Sequence, residues 1–428
     1  MAVSADLREA LAELVGPENV LTGPETLLYA VDGIAPRAVV LPETREQVRE
    51  LVRFARSRRL GIVPFGGGTK LGFGNPPAAY DLALATRRLS RVVDYSPADL
   101  TVVVEAGLTF GRLADLLRRE GQFLPLDPAA PDRATVGGIV AAGLGGLRRA
   151  FYGPPRDWVL GVRAVSGEGE LIQGGGRTVK NVSGYDLCRL FTGSWGSLGI
   201  IVEVCFKVFP APPKSVLAVL GLPPSADLFG PGLQLWREVP YPAAILGLDP
   251  ASAADLLGAA AGPGGALLVL FSGAAADIEF QLGRTRAVAG DHAARFGAVA
   301  DGELAGLWGQ LCDHPQSVGR DLPVWVRISV PPAGAGAFGP DLTRGRFLAD
   351  IPGGVINLYT DSADPAFLAE LRRRARAAGG SLALGRAPAD LKGRIPAWDP
   401  LPAPELMARV KGALDPDGIL SPGRLLTA

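Results

Sequence analysis

Cysteine and histidine are scarce. Cys188, Cys205 and Cys312 are scattered through 428 residues and no CxxC pair occurs. Such spacing argues against an iron–sulfur cluster held by this chain, a zinc ribbon or a disulfide framework. The two histidines, His292 and His314, do not by themselves make a His-rich metal site, and no metal is expected. His292 in GDHAARFG and His314 before Pro315 read as surface or helix-end residues. An excess of either charge is also missing: 43 Lys and Arg balance 43 Asp and Glu. This argues against a nucleic-acid binder, whose phosphate contacts need basic excess, and against polybasic membrane attachment. The start, MAVSADLREALAEL, has neither a basic n-region nor an apolar h-region. A cytoplasmic location is expected. The longest uncharged run, Leu257 to Ala276, is broken by Gly262-Pro263-Gly264-Gly265, so it reads as helix end, turn and strand and no transmembrane segment is expected.

What is present is apolar sequence with frequent turns. Residues of the hydrophobic class make up 48% of the chain, beside 57 glycines and 37 prolines. The length predicts two or three domains. Residues 5–15 read as a surface helix, 38–41 as a strand, and Thr44 as the cap of a helix reaching Leu60. Strands are expected at 62–65, 81–85 and 101–105, then a helix capped by Thr109 and closed by Gly121. A hairpin at 159–174 and a long strand within 195–209 follow, and Pro210, Pro212 and Pro213 mark a boundary. Beyond Lys214, strand runs at 215–220, 243–248, 266–271, 324–330, 353–358 and 381–384 alternate with helical stretches, suggesting an α+β or α/β layer. The chain closes on the helix PELMARVKGAL and the tail DPDGILSPGR.

Three glycine-rich loops enter or leave strands in the first half. Gly66-Gly67-Gly68-Thr69-Lys70 follows a strand; bare backbone there lets several N–H groups point at one anion. It is neither a Walker A loop nor a GxGxxG fingerprint, and a tight turn is the alternative reading. Thr135-Val136-Gly137-Gly138 opens a run of small residues through Gly143 to Gly146, on whose backbone a flat ligand can lie. Gly196-Ser197-Leu198-Gly199-Ile200-Ile201 again offers bare backbone. Three such loops suit an extended dinucleotide.

These residues carry a resemblance. PFGGGTKLGFG and the stretch from LPLDPAAPDRATVGG to FTGSWGSLGIIVEV resemble the FAD-binding domain of the vanillyl-alcohol-oxidase type of FAD-linked oxidases. Ala142-Gly143-Leu144 with Arg148-Arg149, KNVSGYDLCRLFTGSWGSLG and the C-terminal tail resemble the FAD-binding (E-type) subunit of glycolate oxidase. The resemblance implies an α+β fold: a two-subdomain FAD-binding domain over 1–213, a cap over 214–400 with an antiparallel sheet, and a segment, 401–428, returning to the FAD domain. It implies that Gly66 to Lys70 hold the pyrophosphate through backbone N–H groups. Asp127, Pro128 and Thr135, Val136, Gly137 and Gly138 would line the isoalloxazine and ribityl region, and Gly199, Ile200 and Ile201 would meet the adenosine half. Positions 66–75 hold no His, so the FAD is expected to be noncovalent.

Catalytic groups are less legible. Lys180 and Tyr185 lie in KNVSGYDL, where they could serve flavin and substrate or could belong to a packed helix start with Asp186 pairing Arg189. Arg327 in VWVRISV and Arg386 after SLALG could each clamp a carboxylate or form a surface ion pair. Arg148 and Arg149 could contact FAD or a partner, or stand in solvent. The resemblance implies oxidation of glycolate, or of D-lactate, in a complex with a catalytic FAD subunit and an iron–sulfur subunit. With no base in view, the isolated chain is expected to turn over negligibly. The alternatives are a stand-alone FAD-dependent 2-hydroxy-acid dehydrogenase and a structural subunit with a vestigial FAD pocket.

Overall fold

The computed structural model describes residues 5–176, 185–224, 227–318 and 321–425. Four strands, β1 (Val20–Leu21), β2 (Ala38–Val40), β3 (Ile62–Phe65) and β4 (Leu82–Ala85), form a sheet in the order β1-β2-β4-β3. β2 and β3 both run parallel to β4, which requires a crossover between them. The helix Arg45–Ser57 supplies it. Thr44 caps that helix by accepting the Gln47 N–H at 3.1 Å, and Val48, Leu51, Val52 and Ala55 form its buried stripe.

The second sheet contains β5 (Val92–Ser96), β6 (Thr101–Glu105) and, after the short β7 (Gln122–Phe123), β8 (Val159–Val165), β9 (Leu171–Gly175) and β10 (Ile200–Lys207). Its order is β5-β6-β10-β8-β9, all antiparallel. β11 (Phe209–Pro210) pairs with β7. Val165, Ile200 and Val202 share one core cluster with Val40, Val48, Leu82 and Leu84, so the first two sheets pack through a common interior. The tail joins them: Ile62 N–H donates to Ile419 O at 2.8 Å, and Ser421 N–H to Ile62 O at 2.7 Å.

The third sheet has eight strands: β12 (Lys214–Gly221), β13 (Ala244–Leu248), β14 (Ala266–Gly273), β15 (Arg295–Ala300), β16 (Val324–Ser329), β17 (Arg346–Asp350), β18 (Val355–Thr360) and β19 (Ser381–Arg386). The order is β15-β12-β14-β13-β17-β18-β16-β19 and every described pairing is antiparallel. This corrects the α/β option for the cap: helices alternate with strands along the chain, yet no strand here runs parallel to its neighbour. β1, β5, β7, β15 and β17 were not expected from the sequence.

Period-two alternation gives this sheet two faces. Val324, Val326, Ile328, Phe347, Ala349, Ile356 and Leu358 pack on residues of the helices Phe229–Glu238, Ala275–Ala289 and Pro365–Ala377. The intervening Trp325, Arg327, Leu348, Asp350, Asn357 and Tyr359 face a cleft toward the first two sheets. The helix Asp301–Ser317 covers the rest of that face, setting Leu304, Leu307 and Leu311 against Leu217, Val219, Leu246 and Leu268.

Candidate active site

Between a wall of glycine-rich loops and the third sheet lies a cleft of about 1590 Å³, the open solvent at its mouth included. Gly66, Gly67, Gly68, Thr69, Lys70, Asp127, Pro128, Thr135, Gly137, Gly138, Gly199, Ile200 and Ile201 line one side, and Arg327 the other. Val136 does not reach the cleft; it is fully buried in the core of the second sheet. Gly143 does not line it either. It ends a helix at φ +63°, where a Cβ would meet Gly193 Cα at 2.8 Å.

Two glycines have a different reason from the one the sequence suggested. A Cβ on Gly67 would stand 1.7 Å from Arg133 O, and one on Gly66 2.1 Å from Thr135 Oγ1. These glycines let the first loop lie directly on the second. Gly68 adopts φ +71°, which glycine takes without strain. The small-residue run is not open loop: Val136–Ala142 is a helix, whose cap Thr135 accepts the Gly138 N–H at 3.4 Å. A side chain on Gly138 would meet only Thr135 Oγ1, at 3.1 Å, and would otherwise fill the cleft. A long wall of bare backbone kept clear of side chains fits a dinucleotide.

Asp127 and Arg148 form a buried pair on this wall. Arg148 reaches Asp127 Oδ1 at 2.7 Å, the Arg148 N–H donates to Oδ2 at 3.0 Å, and Trp308 Nε1–H donates to Oδ1 at 3.0 Å. Burial opposes ionisation, but the Arg148 charge and these donors win, and the Asp127 carboxyl lies below its ordinary value. Trp308 belongs to the helix Asp301–Ser317, so the pair also ties the loop to the third sheet's cover. Asp313 on that helix accepts the Ala130 N–H at 2.5 Å.

The sheet wall is polar without being paired. Among the described residues the Arg327 side chain has one hydrogen bond, a long 3.4 Å contact to Asn357 Oδ1, which Trp325 Nε1–H also shares at 3.1 Å. Burial and the nearby Arg149 charge push the guanidinium down to about 10. Lys70 sends its ammonium to this wall, 5.2 Å from the Trp325 ring centre, and burial with the Arg327 charge lowers it to about 8. Arg149 also lines the cleft. Asp350 and Tyr359 each present a buried oxygen with no hydrogen-bond partner, and burial raises both groups. Neither residue stood out in the sequence. The available signal was the single polar residue closing the apolar run FLAD and the Tyr in VINLYT.

Other candidates go elsewhere. Tyr185 is 96% exposed and outside the cleft lining; Asp186 beside it accepts the Arg189 N–H at 3.0 Å and caps the helix Leu187–Phe191. Arg386, paired in register with Trp325 on the edge strand β19, does not line the cleft. Lys180 lies outside the described residues. His314 is buried, not superficial: its Nε2 is 2.9 Å from Ser252 Oγ, and burial drives the imidazole down to about 4. Among the described residues no group of three or more His, Cys, Asp or Glu could hold a metal, and no helix is long and apolar enough to cross a membrane.

Comparison with known proteins places this geometry. Residues 36–175 match the family described as FAD binding domain. D-2-hydroxyglutarate dehydrogenase of Xanthomonas citri pv. viticola is 38% identical over 188 residues, 44% of this chain and 40% of that protein. Glycolate oxidase subunit GlcD of Bacillus subtilis is 33% identical over 51% of this chain and 48% of its own length, and subunit GlcE of Escherichia coli 38% identical over 39% and 47%. The matches thus span less than half the length of these relatives. A solved p-cresol methylhydroxylase with substrate bound superposes with a TM-score of 0.74 at 18% identity, over 99% of this chain and 97% of that one, a likeness of fold alone. Residues 36–175 thus match an FAD binding domain, and the chain as a whole shares its fold with p-cresol methylhydroxylase.

Proposed function

We propose that the chain is an FAD-dependent oxidoreductase subunit that oxidises a small 2-hydroxy acid, glycolate or D-lactate, to the 2-oxo acid. The observation that carries this reading is Arg327, a half-buried guanidinium on the cleft face with no carboxylate partner among the described residues. Such a group suits bidentate capture of a substrate carboxylate. Gly66 to Thr69, Thr135, Gly137, Gly138 and Gly199 to Ile201 would hold the FAD, and among the described residues no histidine lines the cleft to attach it. When bound, oxidised FAD accepts the α-hydrogen with its electron pair. Arg327 then orients the acid, while Trp325, Leu348 and Leu311 keep water from it.

The likeness to GlcD and GlcE supports a place in a glycolate oxidase-type complex, with an iron–sulfur subunit taking the electrons onward. Because the cleft carries its own candidate clamp, the reading assigns flavin reduction to this chain rather than to a partner. The test is anaerobic stopped-flow mixing of the FAD-loaded chain with glycolate, D-lactate and D-2-hydroxyglutarate. The flavin band should bleach with at least one of them. A flavin that stays oxidised with all three overturns the reading.

A further inference from the structure

Two opposite charges share the sheet face without meeting. Arg327 on β16 and Asp350 at the end of β17 both line the cleft, with β18 between their strands. Asp350 is 4% exposed. Its Oδ1 accepts the Gly353 N–H at 3.1 Å, whereas Oδ2 is buried without a partner. Gly353 makes room for that oxygen, since a Cβ there would stand 2.0 Å from it. The Tyr359 hydroxyl, on the same face, is also buried and unpartnered. A buried carboxyl without a full set of partners is costly, and the cost is relieved when a ligand supplies the missing donor.

We propose that Asp350 is the base that takes the hydroxyl proton of the 2-hydroxy acid; this rests on the function proposed above. With the substrate carboxylate on Arg327, the hydroxyl is the donor that Asp350 Oδ2 lacks. In the step, the substrate O–H bond breaks and its proton passes to Asp350. The C–O bond becomes a carbonyl, and the α-hydrogen leaves with its electron pair for oxidised FAD. The substrate loses two electrons, the flavin gains two, and Asp350 later returns its proton to solvent. Burial pushes the Asp350 carboxyl up to about 6, while the Gly353 N–H and the charges of Arg149, from the helix Arg149–Tyr152, and Arg327 draw it down. That value suits a base working near neutrality.

The experiment uses the FAD-loaded chain, Asp350→Asn and Gly353→Ala, with two readouts. One is the rate of anaerobic flavin bleaching by the reactive 2-hydroxy acid; the other is the dissociation constant of oxalate, read from the oxidised flavin spectrum. Asp350→Asn should bleach at least ~100-fold more slowly, the range of general-base contributions, with oxalate affinity unchanged or tighter. Gly353→Ala, which displaces Oδ2 but keeps the carboxyl, should slow bleaching in the same direction. In the unaltered protein the second-order bleaching rate should rise about tenfold per pH unit below about 6 and level off above it. This profile tests the proposal even if a variant fails to fold. Bleaching of Asp350→Asn at the unaltered rate, or a flat profile from pH 5 to 7, overturns Asp350 as base and leaves the 2-hydroxy-acid reading standing. No bleaching of the unaltered protein by any 2-hydroxy acid overturns both.

Discussion

Asp127 and Asp350 are buried carboxyls on opposite walls of one cleft, and they have opposite fates. Asp127 has Arg148, a backbone N–H and the Trp308 indole, and its pKa is lowered. Asp350 has one backbone N–H, and burial raises it to about 6. On the glycine wall Asp127 and Arg148 satisfy each other, and bare backbone is left to the ligand. The sheet wall leaves side chains unsatisfied. A wall of the first kind suits cofactor binding and a wall of the second kind suits a reacting group, because a buried polar group without a partner gains one when the ligand binds.

The largest expected effect comes from breaking the satisfied wall. Arg148→Met strands Asp127 in the interior, and loss of one partner of a buried pair costs about 3–5 kcal/mol. Arg327→Met strands no carboxylate and should cost under ~1 kcal/mol. Equal losses in denaturant unfolding of the two variants would break the comparison. Next is Gly67→Val, whose Cβ would meet Arg133 O and force the two loops apart. Overpacking costs about 1–3 kcal/mol, so FAD retention should fall roughly 10- to 100-fold in equilibrium dialysis. Full occupancy in a folded variant would show that this loop contact does not shape the cofactor site.

Asp350→Asn sharpens the comparison through pH. The folded pKa is raised above the unfolded one, so ionisation of Asp350 favours the unfolded state. That penalty is complete above about pH 6 and absent below about 4. The variant should therefore be more stable than the unaltered chain at pH 8 by about 1–2 kcal/mol, with the advantage fading toward pH 4. An advantage that grows on acidification would reverse the assignment. The smallest effect belongs to Arg189→Ala, which removes an exposed i,i+3 pair with Asp186 and should change stability by less than ~0.5 kcal/mol.

The glycine wall was legible because a missing Cβ is itself a sequence signal. The reason for Gly66 and Gly67 was not, since contact between loops distant in sequence leaves no local pattern. The helix Val136–Ala142 was masked by its Gly and Ala content, which reads as open backbone until packing against Ala106 fixes it. Arg327 drew notice as a lone cation in an apolar strand. Asp350 did not, because Asp before Pro352-Gly353-Gly354 reads as a turn residue, and it does accept a turn N–H. His314 looked superficial because nothing in its own helix reveals that the sheet lies beneath it. The alternation of strands and helices past Lys214 suggested layers correctly but could not give strand direction, which the pairing of distant strands decides.

The most direct test of the account is an oxalate titration of the FAD-loaded chain and of Arg327→Met, followed by the oxidised flavin spectrum. The account predicts a saturable spectral change in the unaltered chain and binding at least ~10-fold weaker in the variant, in line with the roughly 1.5–3 kcal/mol of a hydrogen bond to a charged group. Equal affinity in both, or no spectral change in either, would contradict the claim that the sheet wall receives the carboxylate beside the flavin.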